Sequence, residues 1–245
     1  MKILIIRHGD PDYARDSLTP KGWQEARLLA QRLAPQPIDA FYVSPLGRAK
    51  DTASCTLELA GRSATECHWL TEFNPPSVQR PDLEEGKRFV AWDWLPSHWL
   101  DRPILMDREH WFEEPCFSEA GVGQAYHRVT AAFDQLLAQH GYQREGLTYR
   151  PVKPNHDTIC LFCHFGVQGV LLSHLLNVSP MPLWQGFVAA PSSVTTLTTE
   201  ERREGVAIFR MSSYGDISHL YAGQEPPSTA ARFCECFTDF QDRHD

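Results

Sequence analysis

Three short stretches of this 245-residue sequence carry side chains suited to binding and transferring an anion. They are Arg7-His8-Gly9-Asp10, Ser44-Pro45 with Arg48 shortly after, and His164-Phe165-Gly166. Arginine forks match phosphate oxygens bidentately. Helix N-termini add free N–H groups and the positive end of a dipole. Gly9 and Gly166 let the backbone approach an anion closely. A neutral imidazole among arginines keeps its lone pair, because positive surroundings disfavour a second proton. Such a nitrogen can attack phosphorus and split hydrolysis into two easier steps.

The stretches act together only if the fold gathers them. Residues 2–6, 38–43 and 158–163 read as short apolar strands of the kind covered on both faces, and 65–72 as a further strand. Thr19-Pro20 and Ser44-Pro45 read as helix starts, each a cap followed by proline at the first helical position. The first helix ends before Pro35 and the second near Ala60. Ser118 caps a helix to about His140, and an apolar helix runs from His164 to Leu176. Ser193 to Thr199 and Val206 to Met211 form strands joined by a charged turn, and Thr229 to Phe240 a terminal helix. This alternation predicts an α/β fold with a mostly parallel central sheet flanked by helices on both faces. Ligands of such sheets bind at the carboxyl ends of the strands, where all three stretches fall.

The motifs resemble those of the histidine phosphatase superfamily, also called the phosphoglycerate mutase-like family. Ile5-Ile6-Arg7-His8-Gly9 is similar to its strand-plus-RHG signature. Val43-Ser44-Pro45-Leu46-Gly47-Arg48-Ala49, continuing to Thr52-Ala53, resembles its S-P-L-x-R-A element. Cys163-His164-Phe165-Gly166 resembles its second histidine, and Leu18-Thr19 with Gly22 and Ala26 its first helix start. The resemblance implies that His8 is the nucleophile that becomes phosphohistidine. Arg7, Arg48 and His164 would hold the phosphoryl oxygens. Glu72, in Leu70-Thr71-Glu72, would protonate the leaving oxygen and then activate water. It implies a small phosphorylated substrate and no metal or organic cofactor. The sequence departs from the family after Glu72, at Phe73-Asn74-Pro75-Pro76, and at Ala14, where many members have asparagine. Asp10 and Asp12 therefore stand as rival proton donors. Phosphatase activity is the expectation, with mutase-type transfer or an inactive phosphate-binding module as the alternatives.

Other candidates fail on geometry. His156 and Asp157 precede the strand that His164 follows, so at ~3.3 Å per residue they lie near the opposite sheet edge. His174 sits ten residues down a helix from His164. Cys160 and Cys163, three apart on a strand, face opposite sides and cannot share a metal. A cation held by His8, Asp10, Asp12 and His164 would be repelled by Arg7 and Arg48.

Lys and Arg number 23 against 31 Asp and Glu, a net charge of −8. With no basic run longer than two, nucleic-acid binding is not expected. No apolar stretch approaches the ~20 residues of a membrane span, and the run at 3–6 is too short for a signal peptide. The seven cysteines lack the spacing of a disulfide framework. A cytoplasmic protein is expected. The chain reads as one domain, 1–245, with an insertion at about 74–117 rich in proline and containing Trp92, Trp94, Trp99 and Trp111. That insertion holds five basic and nine acidic residues. Following Glu72 directly, it is expected to form a rim or lid and to favour a monoester with an apolar or aromatic body over a polyphosphate.

Overall fold

The computed structural model describes residues 1–74, 76–241 and 243–244. Strand β1 (Lys2–Arg7) shows how the core is organised. Successive side chains of a strand point to opposite faces. Ile3 and Ile5 join one apolar cluster, and Leu4 and Ile6 a second one across the sheet. The remaining strands of the sheet are β2 (Ala40–Val43), β3 (Thr65–Glu66), β4 (Tyr142–Glu145), β5 (Thr148–Pro151), β6 (Thr158–Cys163), β7 (Val194–Arg203) and β8 (Val206–Asp216).

Among the described residues these eight strands lie in the order β3-β2-β6-β1-β7-β8-β5-β4. The pairings from β3 to β1 are parallel, and those from β1 to β4 antiparallel. The sheet is therefore mixed, not mostly parallel as expected. The antiparallel half consists of hairpins closed by tight turns, with Gly146 at φ 58° and Gly205 at φ 80°. The first, 142–151, alternates polar and apolar residues too weakly to stand out in the sequence.

Helices cover both faces. On one, α1 (Pro20–Leu33) and α2 (Gly47–Ala60) bring Leu29, Leu33, Ala49 and Ala53 to Leu4, Ile6 and Phe162. On the other, α3 (Val122–Gln139), α4 (Phe165–Leu176) and α5 (Pro180–Gly186) bring Phe133, Leu137, Val167 and Met181 to Ile3, Ile5 and Leu161. Cys160 and Cys163 join opposite clusters, as their spacing requires.

Thr19 caps α1, its side chain accepting from the Gly22 N–H, with Pro20 as the first helical residue. Ser44 does not cap α2, which begins at Gly47 after Leu46. Its hydroxyl serves a histidine instead, as described below. Ser118 lies in a short helix, Pro115–Glu119, and α3 follows Gly121, whose φ of 70° breaks the chain between them. The strand expected at 65–72 is only Thr65–Glu66, followed by a 3-10 turn at His68–Leu70. The expected terminal helix is a single 3-10 turn, Thr229–Ala231. Phe233, Phe237 and Phe240 have helix-like spacing but remain exposed. With these rings exposed, coiling them into a helix gains no tertiary packing, on which most helical stability depends.

Register aligns the chemistry. Arg7 pairs with Cys163 and Val43 with Phe162. The chain exits at His8, Ser44 and His164 therefore lie side by side at the carboxyl ends of three parallel strands. The ladder continues one step further, with the His8 N–H donating to Cys163 O and the Ser44 N–H to Phe162 O.

Candidate active site

His8 is 2% exposed. Its Nδ1 lies 2.7 Å from the Gly9 carbonyl oxygen. A carbonyl can only accept, so Nδ1 carries the proton and the neutral ring keeps its lone pair on Nε2. Burial, then the positive charge of Arg7, holds the imidazole pKa well below its usual range, and Arg48 adds to the effect. The loop bearing the ring is fixed from several sides. The Gly9 N–H donates to Thr52 Oγ1 at 2.9 Å, and the Ser192 N–H to His8 O at 3.0 Å. Gly9 is required here, because a Cβ would come within 2.8 Å of the Gly22 carbonyl oxygen.

His164 is fully buried, its ring centroid 5.1 Å from that of His8. Its Nε2 meets Ser44 Oγ at 2.7 Å, and Nδ1 is enclosed without a partner. Burial and then the neighbouring His8, Arg48 and Arg7 push its pKa well down.

Arg7 donates from Nη1 to Ala189 O at 2.5 Å and lies over the Phe165 ring, with Nε enclosed and unpartnered. Arg48 donates from Nη1 to Asp16 Oδ1 at 2.6 Å and lies over the Tyr13 ring, its Nε likewise unpartnered. Each guanidinium is thus anchored on one side and keeps donor capacity on another. Glu72 Oε1 accepts from the N–H groups of Phe73 at 2.7 Å and Val167 at 3.1 Å, the latter in the first turn of α4. Burial raises the pKa of its carboxyl against these bonds and against Arg7. Gly166 admits this contact, because a Cβ there would stand 2.7 Å from Glu72 Oε1.

Arg7, His8, Arg48 and His164 feel one another's charge, and Glu72 is coupled to this group through Arg7. The rival carboxylates have other partners. Asp10 accepts from Thr19 Oγ1 at 2.6 Å and from Ser228 Oγ, while Asp12 accepts from the N–H groups of Ala14 and Arg15. His156 and Asp157 lie at the far end of the sheet, where Asp157 O accepts from Lys2 N–H. His174 pairs with Asp134 at 2.9 Å. Sequence reasoning missed Asp16, the anchor of Arg48. Nothing in its loop distinguishes it from Asp10 and Asp12 except its positive φ of 47°, a property of the fold.

Beside Arg7 opens a crevice of about 260 Å³. Its wall includes the rings of Tyr13, Trp92, Phe165, Trp184, Phe187 and Phe233. Of the four tryptophans in 74–117, only Trp92 reaches it; Trp94, Trp99 and Trp111 are buried in the core. The chain near Ala230 to Phe233 supplies another part of the wall.

The parallel half of the sheet ends in Arg7, His8 and His164, with Arg48 in the helix that follows β2, an arrangement suited to an anion in an α/β protein. The chain belongs to the histidine phosphatase superfamily (branch 1), whose sequence model matches residues 3–210. It is a hydrolase, a phosphomonoesterase of that family. A relative in Schizosaccharomyces pombe, named a probable phosphatase, is 23% identical over 234 residues, covering 90% of this chain and 95% of its own. Phosphoserine phosphatase 1 of Hydrogenobacter thermophilus is 23% identical over 216 residues, covering 83% of this chain and 89% of its own. Among solved structures, Entamoeba histolytica phosphoserine phosphatase in complex with 3-phosphoglyceric acid shares the fold. It has a TM-score of 0.57 and 20% identity, and covers 89% of this chain and 98% of its own. Among the described residues, no helix is long and apolar enough to cross a membrane.

Proposed function

We propose that the protein hydrolyses a small phosphomonoester in two steps through phosphohistidine on His8, without a metal. The observation that carries this reading is the bond from His8 Nδ1–H to Gly9 O, which leaves Nε2 unprotonated beside two arginines. Arg7 and Arg48 grip the phosphoryl oxygens through their remaining N–H groups. The Ser44 hydroxyl accepts from the Leu46 N–H at 3.3 Å, so its own proton is available to His164 Nε2. In that tautomer His164 Nδ1–H is a donor for a phosphoryl oxygen, aimed at charge that builds in the transition state.

In the first step Nε2 forms a bond to phosphorus, the ester P–O bond breaks, and protonated Glu72 gives its proton to the leaving alcohol. In the second, Glu72 takes a proton from water, the hydroxide oxygen bonds to phosphorus, and the N–P bond returns its electron pair to His8. Glu72 is preferred to Asp10 and Asp12 because its raised pKa suits an acid that must hold a proton near neutrality.

The whole chain serves as one domain, with 74–117 inserted as a rim whose Trp92 and Asp93 face the crevice. Its aromatic wall favours a substrate with an apolar or aromatic body. Seven unpaired thiols favour the cytoplasm. Hydrolysis is preferred to mutase-type transfer because the departure from the family after Glu72 and the net negative charge of the insertion disfavour a second anion.

The test is turnover of p-nitrophenyl phosphate by wild type and by His8→Ala. The substitution should lower kcat by at least ~10³-fold, as loss of a covalent nucleophile does, and a chelator should leave wild-type turnover unchanged. Full activity in His8→Ala would falsify the mechanism, and isomerisation of a phosphoglycerate faster than phosphate release would reassign the chain to transfer.

A further inference from the structure

The organic end of the crevice contains one acidic side chain among its aromatic walls. Asp93 lines the crevice with its side chain 29% exposed. Its nearest cation is Arg80, whose Nη1 lies 3.9 Å from Asp93 Oδ1, beyond hydrogen-bond reach. Arg80 donates from Nη2 to Asp82 at 2.8 Å, while its Nη1 is buried, makes no hydrogen bond and faces both carboxylates only as a charge. The Arg80–Asp82–Asp93 trio therefore carries one net negative charge. Among the described residues no donor hydrogen-bonds to Asp93. Burial raises its carboxyl pKa, Arg80 opposes this and Asp82 reinforces it.

Two other charges border the same space. Arg7 belongs to the phosphate end, where a bound phosphoryl dianion compensates it. Arg232 pairs with Glu235 at 3.3 Å. The charge left for the body of a ligand to answer is that of Asp93. Six aromatic rings line the crevice, and aromatic faces attract cations through their quadrupoles, most strongly when water is excluded. A wall of rings with one under-compensated carboxylate is suited to an alkylammonium group.

We propose that Asp93 is a specificity-determining residue that selects phosphomonoesters whose alcohol portion carries an ammonium group, seated among Trp92, Phe165, Trp184 and Phe187. The proposal rests on the phosphatase function proposed above. It adds that the leaving alcohol is cationic, where the rings alone would accept any apolar body.

The experiment compares choline phosphate with its uncharged carbon isostere, 3,3-dimethylbutyl phosphate, using p-nitrophenyl phosphate as the reference substrate. Wild type should favour the charged ester in kcat/KM by about tenfold, the size of a partly desolvated cation–aromatic and carboxylate contact. Asp93→Asn should bring that ratio close to one, and Asp93→Glu should restore most of it. The ratio is taken within one protein sample, so it is independent of how much of a variant folds. Equal or inverse preference in wild type overturns the proposal. So does a preference that survives Asp93→Asn, or failure to hydrolyse either ester while p-nitrophenyl phosphate is turned over. If p-nitrophenyl phosphate is not hydrolysed either, the phosphatase reading fails and this proposal falls with it.

Discussion

Ser44 Oγ lies 2.7 Å from His164 Nε2, joining the end of β2 to the end of β6. The serine is fully buried and its hydroxyl also accepts from the Leu46 N–H. The mechanism proposed above has this hydroxyl donate to Nε2, which places the His164 proton on Nδ1. Ser44→Ala leaves a buried imidazole nitrogen unsatisfied, at a cost of about 1–3 kcal/mol. We expect kcat to fall about tenfold or more with a smaller change in KM, and the melting temperature to drop by several degrees. Unchanged kcat would show that His164 needs no such orientation.

Glu72 is tested by the leaving group. p-Nitrophenolate departs without help, whereas an alkoxide needs a proton. Glu72→Gln should lower turnover of alkyl phosphates by ~10²–10⁴-fold, the range of general acid–base catalysis, and that of p-nitrophenyl phosphate much less. Equal losses for both esters would remove Glu72 from the acid role and return attention to Asp10.

Trp92 and Trp111 share one segment and should behave oppositely. Trp111 has no exposure and meets Phe117, Tyr126 and Trp184 edge-on. Trp111→Ala should cost about 3–5 kcal/mol, as large-to-small changes of buried aromatic groups do, with kinetic constants of the folded protein little altered. Trp92 lines the crevice and packs edge-on against Phe165 at 5.6 Å. Trp92→Ala should change the ranking of substrates while the melting temperature moves little. If Trp92→Ala merely melts earlier with kinetic constants intact, the segment is scaffold and not rim.

Glu25 gives a pH signature to stability. It is fully buried behind the His8 loop, Oε2 accepting from the Asp10 N–H at 2.8 Å and Oε1 having no partner. Burial raises its pKa from 4.5 to about 7. The folded state then holds a proton that the unfolded chain releases, so this contribution is complete below about pH 4.5 and is lost as pH rises through about 7. Glu25→Gln cannot ionise. Its melting temperature should fall less than that of wild type between pH 5 and pH 8, by about 2–4 °C for each kcal/mol at this chain length. Parallel melting profiles would exclude the linkage.

Arg7, His8, Arg48 and His164 were legible in the sequence for a local reason. Arg7, His8 and His164 sit where an apolar strand stops and Arg48 in the first turn of the helix that follows one, so reading the strands also located the polar ends. Asp16 was not legible, because its role is set by where the turn after β1 meets the start of α2. The hairpin 142–151 was hidden because its strands lack a clear apolar–polar alternation, with Gln143, Arg144 and Glu145 polar in succession, and are held by partners far along the chain, as in the pairing of Tyr149 with Ala207. The tail misled in the other direction. Phe233, Phe237 and Phe240 imitate a helix face, yet Phe233 lines a crevice some two hundred residues distant in sequence from His8. Asp93 could be counted as charge in the insertion, but that Arg80 is shared between it and Asp82 is a property of the fold.

The strand order also bears on edge-to-edge pairing of sheets. An outermost strand offers unpaired backbone groups to any neighbour, and long, flat, apolar rims template aggregation. At one rim β3 is two residues long, exposed, and has Glu66 paired with Lys50 at 2.6 Å. At the other, β4 places Gln143, Arg144 and Glu145 after a buried Tyr142. A second chain approaching either rim would have to strip water from charged groups for only a few hydrogen bonds. The buried apolar strands that lead to His8 and His164 lie inside these polar borders, with both of their edges already paired within the sheet.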